Sequence, residues 1–176
     1  MQFTATDIPG AFIVDPVRHA DARGYFARTY CAESFETAGI DFVTVQCNTS
    51  FNAAAGTLRG MHYQADPVPE AKLVRCTRGR VFDVAVDLRP ESPGFRRWIS
   101  VELSADNLRA LFVPTGCAHG FMTLEKDSEL FYQMGAPYVA DLARGVRWND
   151  PAFGIAWPGN PSVIAERDAA WPDFTA

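Results

Sequence analysis

Between residues 11 and 134, short apolar runs alternate with polar breaks. The runs are AFIVDPV (11–17), DFVTVQCNTS (41–50), KLVRCTRGRVFDVAVDL (72–88), RWISVEL (97–103), ALFVPTG (110–116), GFMTL (120–124) and ELFYQM (129–134). Several have period two. In 81–88, Val81, Asp83, Ala85 and Asp87 fall on one side, and Phe82, Val84, Val86 and Leu88 on the other. Successive side chains of a strand point to opposite faces, and β-branched and aromatic residues suit that pleated surface, so these runs predict strands. The breaks RGR (78–80), RPESPGF (89–95), SADN (104–107) and PTGCAHG (114–120) carry turn residues. Many short strands joined by such turns predict an all-β sandwich or barrel. A helical pattern is clear in CAESFETAG (31–39), with Gly39 as its C-terminal cap. SADN reads either as a short helix around Ser104–Leu108 or as a turn. From Asp150 onward the chain is rich in Pro, Trp and Asp, too aromatic for a free tail, and is expected to pack as ordered coil.

Length and composition narrow the class. The 176 residues fit a single domain over 1–176, and 48% hydrophobic with 21% charged residues excludes wholesale disorder. No apolar run approaches the ~20 residues that span a bilayer, so no membrane partner is expected. The opening MQFTATDIPG lacks a basic stretch followed by an apolar one, which predicts no signal peptide. Cys31, Cys47, Cys76 and Cys117 form no CxxC pair, and are expected to be reduced thiols of a cytoplasmic protein. A net charge of −5 argues against nucleic acid as a partner. The informative feature is scarcity: three histidines (His19, His62, His119) and two lysines (Lys72, Lys126) stand against 14 arginines. Chemistry at neutral pH has few places to reside.

His62 lies in GTLRGMHYQ (56–64) and His119 in VPTGCAHGFMTL (113–124), both beside glycines, where backbone can approach a ligand closely. Taken alone, each reads as a hydrogen-bonded core histidine. Period two, however, places Arg59 and Lys72 in strands flanking His62, with Tyr132 and Tyr138 following. A barrel interior holding His, Lys, Arg and Tyr is costly unless a ligand satisfies it. Gly56, five residues, then His62-Tyr63-Gln64 resembles the first cupin motif, G(x)5HxH, with Gln64 in place of the second metal-ligand histidine. Pro114, Gly116 and His119 resemble the second, PxGxxHxxxN, with Thr123 where Asn would stand. The resemblance implies a cupin-type jelly roll whose metal set is broken. Two imidazoles without a placed carboxylate hold a transition metal poorly, so no metal is expected.

Nearly the whole chain resembles the dTDP-4-dehydrorhamnose 3,5-epimerase family. The motifs that carry this are LRGxHxQ (58–64), KLVRxxxGxVxDVxVDLR (72–89) and PxGxAHGF (114–121), supported by DARGYFARTY (21–30), VQCNTS (45–50), ELFYQM (129–134) and ERDAAWPDF (166–174). The family epimerises a nucleotide-diphosphate-linked 4-keto-6-deoxy hexose at C3 and/or C5. The C4 ketone acidifies the neighbouring C–H groups and serves as electron sink, so no cofactor is implied. A base, an acid on the opposite face and a positive group near O4 suffice.

The resemblance makes His62 the base, paired with the Asp168 carboxylate, Tyr132 the acid, and Lys72 the stabiliser of the enolate oxygen. It implies that Arg59 and Arg23 hold the diphosphate, that Asn48 binds substrate, and that Tyr138 lies against the nucleobase. It also implies a homodimer with exchanged N-terminal strands, in which Arg23, Phe26 and Gln46 serve the neighbouring site. His119 either lines the cavity or makes a structural hydrogen bond. Asp83 either orients a histidine or is a satisfied strand carboxylate. His19 and Lys126 are read as bystanders. Three positions depart from the family: Arg28 stands where the family carries the Glu that helps hold the base, Cys47 replaces a common Asp, and Gln133 follows Tyr132 in place of Lys. These leave thymidine, cytidine and guanosine diphosphates open. A nucleotide-sugar 3,4-ketoisomerase and a non-catalytic sugar-binding cupin are the alternative readings.

Overall fold

A computed structural model describes residues 1–175. In chain order the elements are β1 (Gln2–Ala5), β2 (Phe12–Asp15), β3 (Arg18–Asp21), β4 (Gly24–Ala27), α1 (Ala32–Thr37), β5 (Gln46–Asn52), β6 (Thr57–Gln64), β7 (Lys72–Arg78), β8 (Arg80–Asp87), β9 (Trp98–Ser104), β10 (Ala110–Val113), β11 (Cys117–Thr123), β12 (Ser128–Met134), β13 (Ala143–Gly145), β14 (Val163–Ile164) and α2 (Glu166–Ala169). One sheet has the order β1-β2-β10-β7-β12-β5 and the other β13-β6-β11-β8-β9, with β14 parallel to β6. The two form the expected jelly-roll sandwich. A separate hairpin, β3–β4, stands apart from both.

Between the sheets, Val74, Cys76, Val81, Ala85, Leu103, Leu111, Phe121 and Leu130 make one apolar core. The larger of these, Val74, Val81, Leu103, Leu111, Phe121 and Leu130, each contribute about 1.5–3 kcal/mol on full burial. The outer face of the first sheet is covered by α1. Phe35, fully buried, packs its ring against Phe3, Tyr30, Phe42 and Phe112. The helix ends before Gly39, whose φ of +75° is open to glycine at little cost.

The outer face of the second sheet is covered by the C-terminal segment. Val84 and Val86 meet Phe153, Ile155, Trp157 and Phe174 there. This is why β8 is buried on both sides, although its polarity alternates. The segment is ordered coil, as expected. The Asp150 carboxylate accepts the N–H of Ala152 and of Phe174, and Arg147 pairs with Asp173 at 2.5 Å. SADN is a turn, not a helix: the Asn107 side chain accepts the Ser104 N–H and the Ser104 hydroxyl accepts the Asn107 N–H, both at 3.0 Å. No helix among the described residues is long and apolar enough to cross a membrane.

Candidate active site

The site is built on an irregularity in β6. On β11, His119 and Phe121 are two residues apart and share a face; their partners on β6, His62 and Arg59, are three apart. The extra residue in β6 is a bulge, which re-aims side chains. It brings Arg59 and His62 to the same side, where strict alternation would have opposed them. Gly60 occupies the bulge at φ +139°, and a Cβ there would lie 2.6 Å from the Gly120 Cα. The expectation that Arg59 and Lys72 flank His62 on neighbouring strands is therefore corrected. Arg59 shares β6 with His62, and Lys72 opens β7 in the opposite sheet.

The inner faces diverge into a cleft of about 250 Å³ at the polar end of the sandwich. One wall carries Arg59, His62 and His119 from β6 and β11; the other carries Asn48, Lys72 and Tyr132 from β5, β7 and β12. An adjoining part of about 190 Å³ shares His62 and Lys72 and extends past Gln64 and Glu70 to Tyr138, Arg144 and Arg167.

Each histidine in the cleft has a carboxylate partner. His62 Nε2 lies 2.7 Å from Asp168 Oδ1, and the Gly60 N–H donates to Asp168 Oδ2 at 3.2 Å. Parallel pairing of β14 with β6 delivers α2, and with it Asp168, to this point. Burial alone would raise the Asp168 carboxyl, but the hydrogen bond and charge of His62 and the Gly60 N–H outweigh it and hold it below the usual carboxylate range. His119 Nε2 lies 2.9 Å from Asp83 Oδ1, both wholly enclosed. There burial wins over His119 and Lys72, and the Asp83 carboxyl is pushed up. Burial, reinforced by the Asp83 charge, also raises the Tyr132 phenol well above its ordinary value. Arg59 donates from Nε to Asn52 Oδ1 at 2.8 Å.

Lys72 is buried rather than solvated. Its Nζ lies 2.9 Å from Glu70 Oε1 and donates to the His62 carbonyl at 3.3 Å. Sequence reasoning missed Glu70, although the spacing Glu70-x-Lys72 at a strand entrance is a legible signal. It also missed Arg144 and Arg167, for which no sequence pattern offered a signal. Gln64, in the place of a metal-ligand histidine, has its amide fully engaged. It donates to the Val68 and Pro137 carbonyls and accepts the Val139 N–H, tying two loops together.

Of the remaining expected residues, Gln46 accepts the Tyr138 N–H and donates to Asn48, at the mouth of the cleft. Arg23, Phe26 and Arg28 do not line it. Arg23 pairs with Asp21 at the tip of the β3–β4 hairpin, Phe26 is 72% exposed, and Arg28 points at the Cys31 sulfur at 3.7 Å.

Residues 5–176 match the family model described as dTDP-4-dehydrorhamnose 3,5-epimerase. A protein of that name from Sinorhizobium fredii is 44% identical over 175 residues, covering 99% of this chain and 90% of its own length. A crystal structure of the dTDP-4-dehydrorhamnose 3,5-epimerase of Bacillus anthracis, with TDP and PPi bound, superposes with a TM-score of 0.95 at 39% identity, covering 98% of this chain and 99% of that one. The dTDP-6-deoxy-D-glucose-3,5-epimerase of Legionella pneumophila, in complex with dTDP-4-keto-L-rhamnose, superposes at 0.90 with 34% identity, covering 99% of both chains. Matched in sequence and in backbone along its whole length, the chain belongs to the dTDP-4-dehydrorhamnose 3,5-epimerase family of isomerases.

Proposed function

We propose that this chain epimerises a dTDP-linked 4-keto-6-deoxy hexose at C3 and C5, without a cofactor, through an enolate. The observation that carries the reading is the opposition of His62 and Tyr132 on facing walls of one cleft, with Lys72 on the Tyr132 wall. The thymidine nucleotide rests on the TDP-bound and dTDP-sugar-bound relatives.

The chemistry follows from the pairs. An ionised Asp168 accepts the Nε2–H of His62, which leaves Nδ1 with its lone pair to take a proton from C3 or C5. Charge then develops on O4, where the Lys72 ammonium opposes it; a single well-aimed donor of this kind is worth about 3–4 kcal/mol in a dry site. Tyr132 delivers a proton to the opposite face. Its half-buried phenol, with its pKa raised, stays protonated in the resting site and yields its proton only to a strongly basic carbon. Solvent protons reset both groups before the second carbon reacts.

The same reading makes the chain a cytoplasmic homodimer. Support comes from the hairpin, which carries Arg23, Phe26 and Arg28 away from the cleft of their own chain and leaves Tyr25 and Phe26 exposed. Across a two-fold axis these residues meet a neighbour's diphosphate and base.

The test is incubation with a dTDP-linked 4-keto-6-deoxy hexose in deuterated water, read by mass and NMR. Two deuterons, one at C3 and one at C5, are expected in an inverted product. One deuteron makes the chain a monoepimerase. A keto group found at C3 makes it a ketoisomerase. Binding with no exchange at either carbon sinks the reading.

A further inference from the structure

A third charged pair stands beside the two histidines. Glu70 precedes Lys72 by two residues, and in extended chain such positions project to one side. The extension is held: the Gly135 N–H donates to the Ala71 carbonyl at 2.9 Å and carries the β7–β12 pairing one step beyond β7. The Glu70 side chain is more than nine-tenths buried, and its Oε2 has no hydrogen-bond partner. Among the described residues Lys72 is its one polar contact. Glu70 therefore braces no loop and caps no helix; the bracing of both adjacent loops falls to Gln64. A carboxylate removed from water with one partner is costly unless that partner's charge offsets it, so the two charges depend on each other.

An ammonium has three N–H bonds. One meets the His62 carbonyl, the Glu70 Oε1 charge stands 2.9 Å from the same nitrogen, and Lys72 lines both parts of the cleft. Fixing two directions of a tetrahedral group fixes the third. We propose that Glu70 is a positioning residue that acts through Lys72, aiming its remaining N–H at the oxygen where charge develops. The identity of that oxygen as O4 of the sugar rests on the epimerase reading.

The low lysine count makes this testable directly. The only other lysine, Lys126, is exposed in the turn between β11 and β12, so a lysine-labelled 13Cε–15Nζ NMR spectrum holds two ammonium signals, one of them an internal control. Glu70→Gln and Glu70→Ala are both expected to move the Lys72 signal and leave that of Lys126 in place. In turnover, Glu70→Ala is expected to lower kcat about 10–100-fold with KM within about twofold, because a misaimed donor is lost in the transition state rather than in binding. Glu70→Gln keeps an acceptor oxygen and the volume, and is expected to recover much of that loss. In a Lys72→Met background, Glu70→Ala should add nothing. An unmoved Lys72 signal in folded Glu70→Gln overturns the proposal, and so does a full additional loss in the Lys72→Met background. Should the wild-type chain turn over no 4-keto sugar, the epimerase reading fails while the ammonium spectrum still decides whether Glu70 holds Lys72.

Discussion

The cleft contains two histidine–aspartate pairs of nearly equal length, 2.7 Å for His62–Asp168 and 2.9 Å for His119–Asp83, in opposite surroundings. The His62 side chain is 41% exposed and its carboxylate arrives from α2, more than a hundred residues away in sequence. His119 and Asp83 sit on the paired strands β11 and β8, sealed from solvent. Asp168 is held below the usual carboxylate range by His62 and the Gly60 N–H; Asp83 is pushed above it by burial. Identical residue types thus sit in two environments, and the proposed mechanism gives them two roles. The first pair has an imidazole open to the cleft, which the proposed mechanism requires of a proton-moving base. The second holds its ring edge-on to Tyr132, with centroids 6.1 Å apart, which in the proposed mechanism makes it a fixed support beside the acid. Environments that drive like groups apart in pKa are how one site carries distinct acid–base tasks.

The sharpest test of this division is a pair of substitutions. His62→Ala is expected to lower kcat by about 10³-fold or more, and His119→Asn by about 10-fold, read as product formation. Equal losses would erase the distinction. Next in size, Tyr132→Phe is expected to reduce inverted product about 10²-fold while deuterium exchange on the His62 face falls much less, since removal of the acid leaves the base in place. Parallel loss of exchange and inversion would mean that Tyr132 supports the fold of the site rather than the second proton.

The smallest effect is on stability, and its sign differs between the pairs. Asp168, with a lowered folded value, contributes stability that is present above the ordinary carboxylate range and lost as pH falls through that lowered value. Asp83, with a raised value, makes its most favourable contribution when protonated, and that contribution is lost as pH rises through its folded value. Relative to wild type, Asp168→Asn should lose about 1–3 kcal/mol near neutral pH and less only once pH falls below the ordinary carboxylate range, whereas Asp83→Asn should compare best near neutral pH and worst in acid. Thermal denaturation between about pH 2 and 7 checks both slopes; slopes of the same sign would break the comparison.

Much of this was legible in the chain. Period two with Gly- and Pro-rich breaks foretold the strands, and CAESFETAG foretold α1 because Phe35 and Gly39 stand where a buried face and a cap must be. His62, Lys72, His119 and Tyr132 were legible through their motifs and do line one cleft. Other features could not be read. The bulge at Gly60 depends on how β6 meets β11, so period two assigned Arg59 the wrong neighbour relation to His62. The double burial of β8 depends on where the C-terminal segment lies down.

By itself, then, the amino-acid order determined a jelly roll of short strands, a shortage of titrating groups and the family to which the chain belongs, because these are written in local spacing and in ordered motifs. Only the tertiary structure decided that Asp83 serves His119 and Glu70 serves Lys72, and gave the His62–Asp168 pair that the family motifs implied its 2.7 Å contact. The reason is physical. Solvation and charge act through space over a few ångströms, and two of these three pairs join residues far apart along the chain.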